Sequence, residues 1–316
     1  MLLSQIAGLA AQAAPGFDPE TATQAYLATL DGAARARSDA YFEGGYWLLL
    51  VNLAVGLAIA ALLLQTGFAR TLRDRLAVTL KFRWLTTAAF VAVYVLVTAA
   101  LSFPLTVYEG FFREHAFGLS TMSFPAWLGE TAMQLVINVI MGAVLLTVVY
   151  AVIRAARRTW WLWATGVSVF FLALMIFVTP VYLAPLFNDY TPLEEGELRD
   201  DILALAHANG IPADNVYVFD VSRQSNRITA NVSGLFGTTR ISLSDTLIEN
   251  ADRDEVLAVM GHEMGHYTLN HLWEMFAMFA VILAIGFAFT DALFKWANRR
   301  FGGRWGIADV GDIAGL

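Results

Sequence analysis

The chain contains no cysteine in its 316 residues, which excludes disulfides and thiolate metal ligands. Any metal site must then be built from His, Asp, Glu and water. Charge is scarce: Asp, Glu, Lys and Arg make up 15% of the chain against 58% hydrophobic residues, well outside the norm for a soluble domain. A net charge of −7, with no basic run interleaved with aromatics, excludes nucleic acid as a natural partner. Histidine is also rare, and three of the five fall within the stretch from His262 to His271.

What is present in quantity is apolar sequence. Four long runs, at about 46–65, 85–107, 131–153 and 160–183, are each long enough to cross a hydrocarbon core, and a fifth follows at 275–289. The pattern predicts a polytopic membrane protein that is mainly α-helical, with the lipid bilayer as an obligatory partner. Trp160, Trp161 and Trp163 fall where an interfacial aromatic belt is expected, and Pro104 and Pro180 lie near predicted helix ends. Residues 1–15 are small and apolar, with Ala11-Gln12-Ala13 resembling a signal-peptidase site but with no basic n-region.

After residue 184 the character changes. Thr191-Pro192-Leu193-Glu194 reads as a capping box opening an amphipathic helix, with Leu198, Ile202 and Leu205 on one face and Gly210 and Pro212 ending it. Residues 216–220 read as a short strand, and 226–235 and 240–243 as two strands joined by a hairpin around Gly237-Thr238-Thr239. Asp252 and Glu255 read as a second capping box. The helix they open carries His262-Glu263-Met264-Gly265-His266, an H-E-x-x-H pattern. Positions i and i+4 share a helix face, so the two imidazoles can grip one zinc ion while Glu263 reaches a water on it as general base. Glu274 and Asp291 lie too far along a straight helix to join them, and His271 is one residue short of a metzincin third ligand.

Further motifs sharpen this reading. Ala184-Pro185-Leu186-Phe187-Asn188 with Tyr190-Thr191-Pro192-Leu193, Arg240-Ile241-Ser242-Leu243-Ser244-Asp245-Thr246-Leu247, and the stretch from Val259 to His271 together resemble the type I CAAX prenyl proteases, integral-membrane zinc metalloproteases. The resemblance implies a zincin-like α+β domain inserted among membrane helices, and cleavage of peptide or protein substrates with one Zn2+. It also implies His262 and His266 as zinc ligands and Glu263 as general base. It places Thr229, Ala230, Asn231, Val232, Ser233 and Gly234 on an edge strand that holds an extended substrate. Where many members have Asn-Ala-aromatic, this chain has Thr229-Ala230-Asn231. The family's third ligand, a glutamate in an E-x-x-x-D pattern well downstream, has no match after His266, where Glu274 is the one glutamate; it is expected beyond Leu316. A chain lacking that ligand reads alternatively as a catalytically incomplete membrane scaffold. A transporter reading leaves H-E-x-x-H unexplained.

The expected organisation is an N-terminal segment at 1–45, a four-span membrane domain at 46–184, a metalloprotease domain at 185–272, and a fifth span with the start of a C-terminal part at 273–316. Arg70, Arg73, Arg75, Lys81 and Arg83 in one loop, and Arg154, Arg157 and Arg158 in another, predict a common cytoplasmic side; Lys295, Arg299, Arg300 and Arg304 return to it. Charge bias thus puts the catalytic domain on the non-cytoplasmic face of a bacterial inner membrane.

Overall fold

The computed structural model describes residues 18–29, 32–234 and 239–316. The expected signal-like segment, and the turn at Gly237-Thr238, lie outside the described residues. The chain divides into two compact units, Met1–Val55 and Gly56–Leu316. In the first, helix α1 (Pro19–Leu27) precedes the start of α2 (Gly32–Gln65).

The second unit holds most of the fold. After α3 (Phe68–Thr79) come α4 (Arg83–Val107), α5 (Phe124–Ala155) and α6 (Trp160–Val178). Then follow β1 (Tyr190–Pro192), α7 (Glu197–Ala208), β2 (Val216–Phe219), β3 (Ala230–Ser233), β4 (Arg240–Ser244), α8 (Asp245–Asn250), α9 (Arg253–Thr268) and α10 (His271–Trp305). Among the described residues, five helical stretches are long and apolar enough to cross a membrane: Gly32–Gln65, Arg83–Ala116, Phe124–Ala155, Trp160–Leu186 and His271–Trp305. Their apolar side chains face outward, as with Phe170 at 70% and Ile285 and Phe289 at 65% exposure. Water would penalise such a surface and lipid does not, so the chain is a multi-pass integral membrane protein.

The spans pack in sequence, α4 on α5, α5 on α6 and α6 on α10. Their core is built from Phe90, Val91, Val149, Tyr150, Ile153, Trp160 and Ala164, closed at one end by Ile313 and Ala314. Trp160 is therefore not a belt residue. It is buried, and its indole N–H donates to Asp291 Oδ1 at 2.7 Å, while Lys295 Nζ donates to Asp291 Oδ2 at 2.5 Å. Asp291 is thus a packing anchor, remote from the histidines in role as well as sequence. The basic loops converge at one end: Arg73 pairs with Asp312 at 2.5 Å, Arg157 with Asp309 at 2.6 Å, and Arg154 Nε donates to the Gly311 carbonyl at 3.3 Å.

Neither proline stops its helix. Pro104 lies inside α4, and the helical path continues through a π-type segment, Tyr108–Arg113, to Glu114–Ala116. Pro180 sits in a second π-type segment, Thr179–Leu183. A proline supplies no N–H to the ladder and crowds the preceding turn; Pro180 lies within a widened π ladder, while Pro104 lies in the last α turn ahead of one.

The protease region is a four-stranded sheet of order β1-β2-β4-β3, with β2 and β4 parallel and β1 and β3 antiparallel on the edges. Helices α7 and α9 cover one face, where Val216, Ile241 and Leu243 meet Ile202, Ala206, Val256, Met260 and Met264. The expected capping box at Thr191 does not form. Thr191 and Pro192 pair with Val218 and Tyr217 as an edge strand, which tolerates a proline, and α7 begins instead at Glu197 after Gly196. The expected strand from 226 is shorter, because Ser225 bridges to Ser120 in the α4–α5 connection and pairing with β4 starts at Ala230.

Candidate metal centre

Helix α9 starts as read from sequence. The Asp252 carboxylate accepts from the Glu255 backbone N–H at 2.9 Å, and Glu255 accepts from the Asp252 N–H at 3.0 Å, a complete capping box. Val256, Met260 and Met264, spaced i, i+4, i+8, are each within 1% of full burial against the sheet. Two residues on from a buried position is about 200° round the helix, so that stripe turns His262 and His266 away from the core. Both are exposed, and Glu263 between the two faces is half-buried.

The imidazole Nε2 atoms of His262 and His266 stand 3.0 Å apart. Two nitrogens bound to one tetrahedral zinc would be about 3.3 Å apart, so the pair lies within a few tenths of an ångström of the spacing a shared ion would need. On its other side, His266 Nδ1 is 2.8 Å from His271 Nδ1. With Nε2 of His266 given to a metal, its Nδ1 carries the proton and donates to His271, which fixes both tautomer and ring orientation. Glu263 makes no hydrogen bond or ion pair with the described residues, so its carboxylate is free to act on a water. Among the described residues, no group of three or more His, Cys, Asp or Glu side chains comes together as a metal site.

His271 reaches His266 because the helix is not straight. Leu269 ends α9, Asn270 adopts the left-handed conformation at φ 60°, and α10 starts anew at His271. A continuous helix would place residue i+5 about 140° away round the axis. Asparagine is among the few residues besides glycine that tolerate this backbone, and its presence here is the sequence signal for the bend.

Of the six candidate substrate residues, Asn231, Val232, Ser233 and Gly234 line a cavity together with His266 and His271. Ala230, Asn231, Val232 and Ser233 form β3, whose outer edge has no strand partner among the described residues; Thr229 leads into it and Gly234, at φ 93°, leads out. The motif ending in Leu247 holds this strand in place. Ser244 Oγ accepts from the Thr229 and Leu247 N–H groups, each at 3.1 Å, and the Thr246 hydroxyl donates to the Arg227 carbonyl at 2.7 Å. Asp245 accepts from the Ser222 N–H at 2.9 Å and its hydroxyl at 2.5 Å. Burial pushes the Asp245 carboxyl up, but these bonds and one from the Thr246 N–H outweigh it and hold the group below the usual range.

A cavity of about 790 Å³ opens at this point, lined by His266, Tyr267 and His271, by 231–233 of β3 and Gly234, by Arg240, and by apolar side chains from α6 and the start of α10. Arg240 is not among the site candidates that the sequence supplies. Its guanidinium stacks on Tyr190 at 4.0 Å, and its Nη2 donates to the Pro180 carbonyl at 3.1 Å.

Residues 21–189 match the family described as CAAX prenyl protease N-terminal, five membrane helices, and residues 192–312 match peptidase family M48. The chain is 30% identical over 281 residues to the metalloprotease YhfN of Bacillus subtilis, covering 89% of this chain and 66% of that protein. It is 34% identical over 176 residues to CAAX prenyl protease 1 of Saccharomyces cerevisiae, covering 54% of this chain and 38% of the relative. The fold is similar to the crystal structure of S. mikatae Ste24p, with a TM-score of 0.71 and 25% identity, over 84% of this chain and 64% of the other. The chain thus spans between about a third and two thirds of the length of these relatives. The matches cover both the membrane helices and the H-E-x-x-H region, and the chain belongs to peptidase family M48, with the N-terminal membrane domain of the CAAX prenyl proteases.

Proposed function

We propose that the chain is a membrane-embedded zinc metalloendopeptidase in which His262 and His266 hold the metal and Glu263 is the general base. The observation that carries this reading is the approach of the two Nε2 atoms to 3.0 Å, with His266 lining the same cavity as residues 231–234. His262 and His266 would hold the zinc, which when bound would lower the pKa of its water to about 7 and polarise a scissile carbonyl. Glu263 takes the proton of the attacking water and passes it to the leaving amine. His271 holds the His266 ring by accepting from its Nδ1–H. The edge of β3, from Ala230 to Ser233 with Thr229 and Gly234 flanking, receives a peptide in extended form through main-chain hydrogen bonds.

Glu263→Gln tests the base directly. Loss of peptide cleavage by about a hundredfold or more, with an unchanged unfolding midpoint, is expected; a variant as active as the parent contradicts the assignment.

The proposal extends to orientation: the metal centre lies on the non-cytoplasmic side of a bacterial inner membrane. The clustering of Arg73, Arg154 and Arg157 with the 306–312 segment supports a single basic side. Because the chain has no cysteine, single cysteines report the side unambiguously. In intact spheroplasts an impermeant maleimide is expected to label Glu249→Cys and not Arg158→Cys. The opposite pattern reverses the topology.

A further inference from the structure

Among the described residues, no carboxylate answers the charge of Arg240. It forms no ion pair among the described residues, and none of the residues lining the 790 Å³ cavity is Asp or Glu. Of its N–H donors, one on Nη2 meets the Pro180 carbonyl at 3.1 Å, while Nε is buried without any partner. The rings of Tyr190 and Tyr217 lie at 4.0 and 6.0 Å. Burial pushes the Tyr190 phenol up, and the neighbouring Arg240 charge offsets this only in part, which marks the surroundings as poorly solvated. A partly buried guanidinium held by one carbonyl and the Tyr190 side chain, with no carboxylate, is costly to maintain, and its planar fork matches a carboxylate.

Its place relative to β3 gives that unmet charge a use. Ile241 and Leu243 turn into the core, so Arg240 and Ser242 turn to the opposite face of the sheet. In register, Arg240 stands across from Ser233 and Ser242 across from Asn231, so that face of β3 continues directly to the guanidinium. Both Arg240 and His266 line the same cavity. Leu172, Met175 and Ile176 of α6 and Met275 of α10 give the cavity an apolar wall. The hold on Pro180 adds rigidity: the π-type segment that begins at Thr179 presents this carbonyl to Arg240.

We infer that Arg240 is a specificity residue that binds a carboxylate of the peptide lying along β3, either its free C-terminus or an acidic side chain. The inference rests on the peptidase reading for the identity of the ligand, but it concerns binding and not bond cleavage.

Binding is measured by fluorescence anisotropy with the Glu263→Gln chain, which retains the site without turning peptide over. One peptide pair differs only in a free against an amidated C-terminus, with no acidic side chain. A second pair is amidated throughout and differs by one Glu against Gln. In at least one pair the carboxylate is expected to tighten binding about tenfold to a hundredfold, and the sensitive pair identifies its source. Adding Arg240→Gln should remove that preference, read as the ratio of affinities within a pair, and Arg240→Lys should keep part of it. The inference is overturned if neither pair shows a preference, if no peptide binds, or if the preference survives in Arg240→Gln. A lowered unfolding midpoint in Arg240→Gln with the preference intact would make the residue purely structural. Carboxylate-dependent binding without cleavage by the parent chain would leave the inference standing and contradict the peptidase reading.

Discussion

Met260 is the clearest point at which packing can be separated from chemistry. It is fully buried two residues before His262, and with Met264 it belongs to the cluster that joins α9 to the sheet. Truncation to alanine removes the thioether end of the side chain from a cluster that includes Ile241, Leu243 and Val216. The lost transfer contribution is about 1.5–3 kcal/mol, and a cavity of roughly 60 Å³ at about 24 cal/mol per Å³ adds about 1.5 kcal/mol. The expected loss for Met260→Ala is therefore about 3–4.5 kcal/mol, inside the range of about 2–5 kcal/mol known for such truncations. Met260→Leu, nearly equal in volume, should cost less than about 1.5 kcal/mol. Thermal or denaturant unfolding in detergent, followed by circular dichroism, measures both. Because Met260 points away from His262 and His266, zinc retention well below the lowered midpoint should match the parent. The packing account is refuted if alanine costs under about 1 kcal/mol, or if leucine costs as much as alanine.

Three further outcomes are expected. His271→Ala should weaken zinc binding about 10–100-fold by freeing the His266 ring, measured by competition with a chelator; unchanged affinity would reduce the 2.8 Å contact to a crossing of side chains. Asp245 has its carboxyl held low in the fold, so its stabilising contribution is complete above the ordinary aspartate value of about 3.9 and is lost as pH falls through the lower folded value. The gap in unfolding midpoint between the parent and Ser222→Ala should therefore be wider at about pH 6 than at about pH 3, and a gap independent of pH counts against the Ser222–Asp245 bonds. Gly261→Ala should stabilise α9 by about 0.5–1 kcal/mol, since an added Cβ meets nothing within 4 Å; a lower midpoint would show that the helix is not built as described.

Features governed by local pattern are legible in the sequence. The apolar runs, the capping box of Asp252 and Glu255, and the common helix face of His262 and His266 depend on spacing alone, and spacing is what a sequence displays. Thr191-Pro192 misleads because its capping signal competes with pairing to Tyr217 and Val218 of β2, and the long-range pairing prevails. The bend at Asn270 depends on one left-handed residue, and its consequence, the contact of His271 with His266, exists only once the backbone turns. Trp160 is interfacial by composition, yet its N–H finds Asp291 from a span 131 residues on. Arg240 gives no signal because an unanswered charge is recognised by the lack of a carboxylate around it, and that environment exists only in three dimensions.

The central claim is that His262 and His266 form a metal site, and zinc content of the purified chain tests it most directly. With zinc supplied at the same concentration, the parent should bind more zinc, approaching about one per chain, than His262→Ala or His266→Ala. A parent chain that holds no more zinc than either variant would contradict the account.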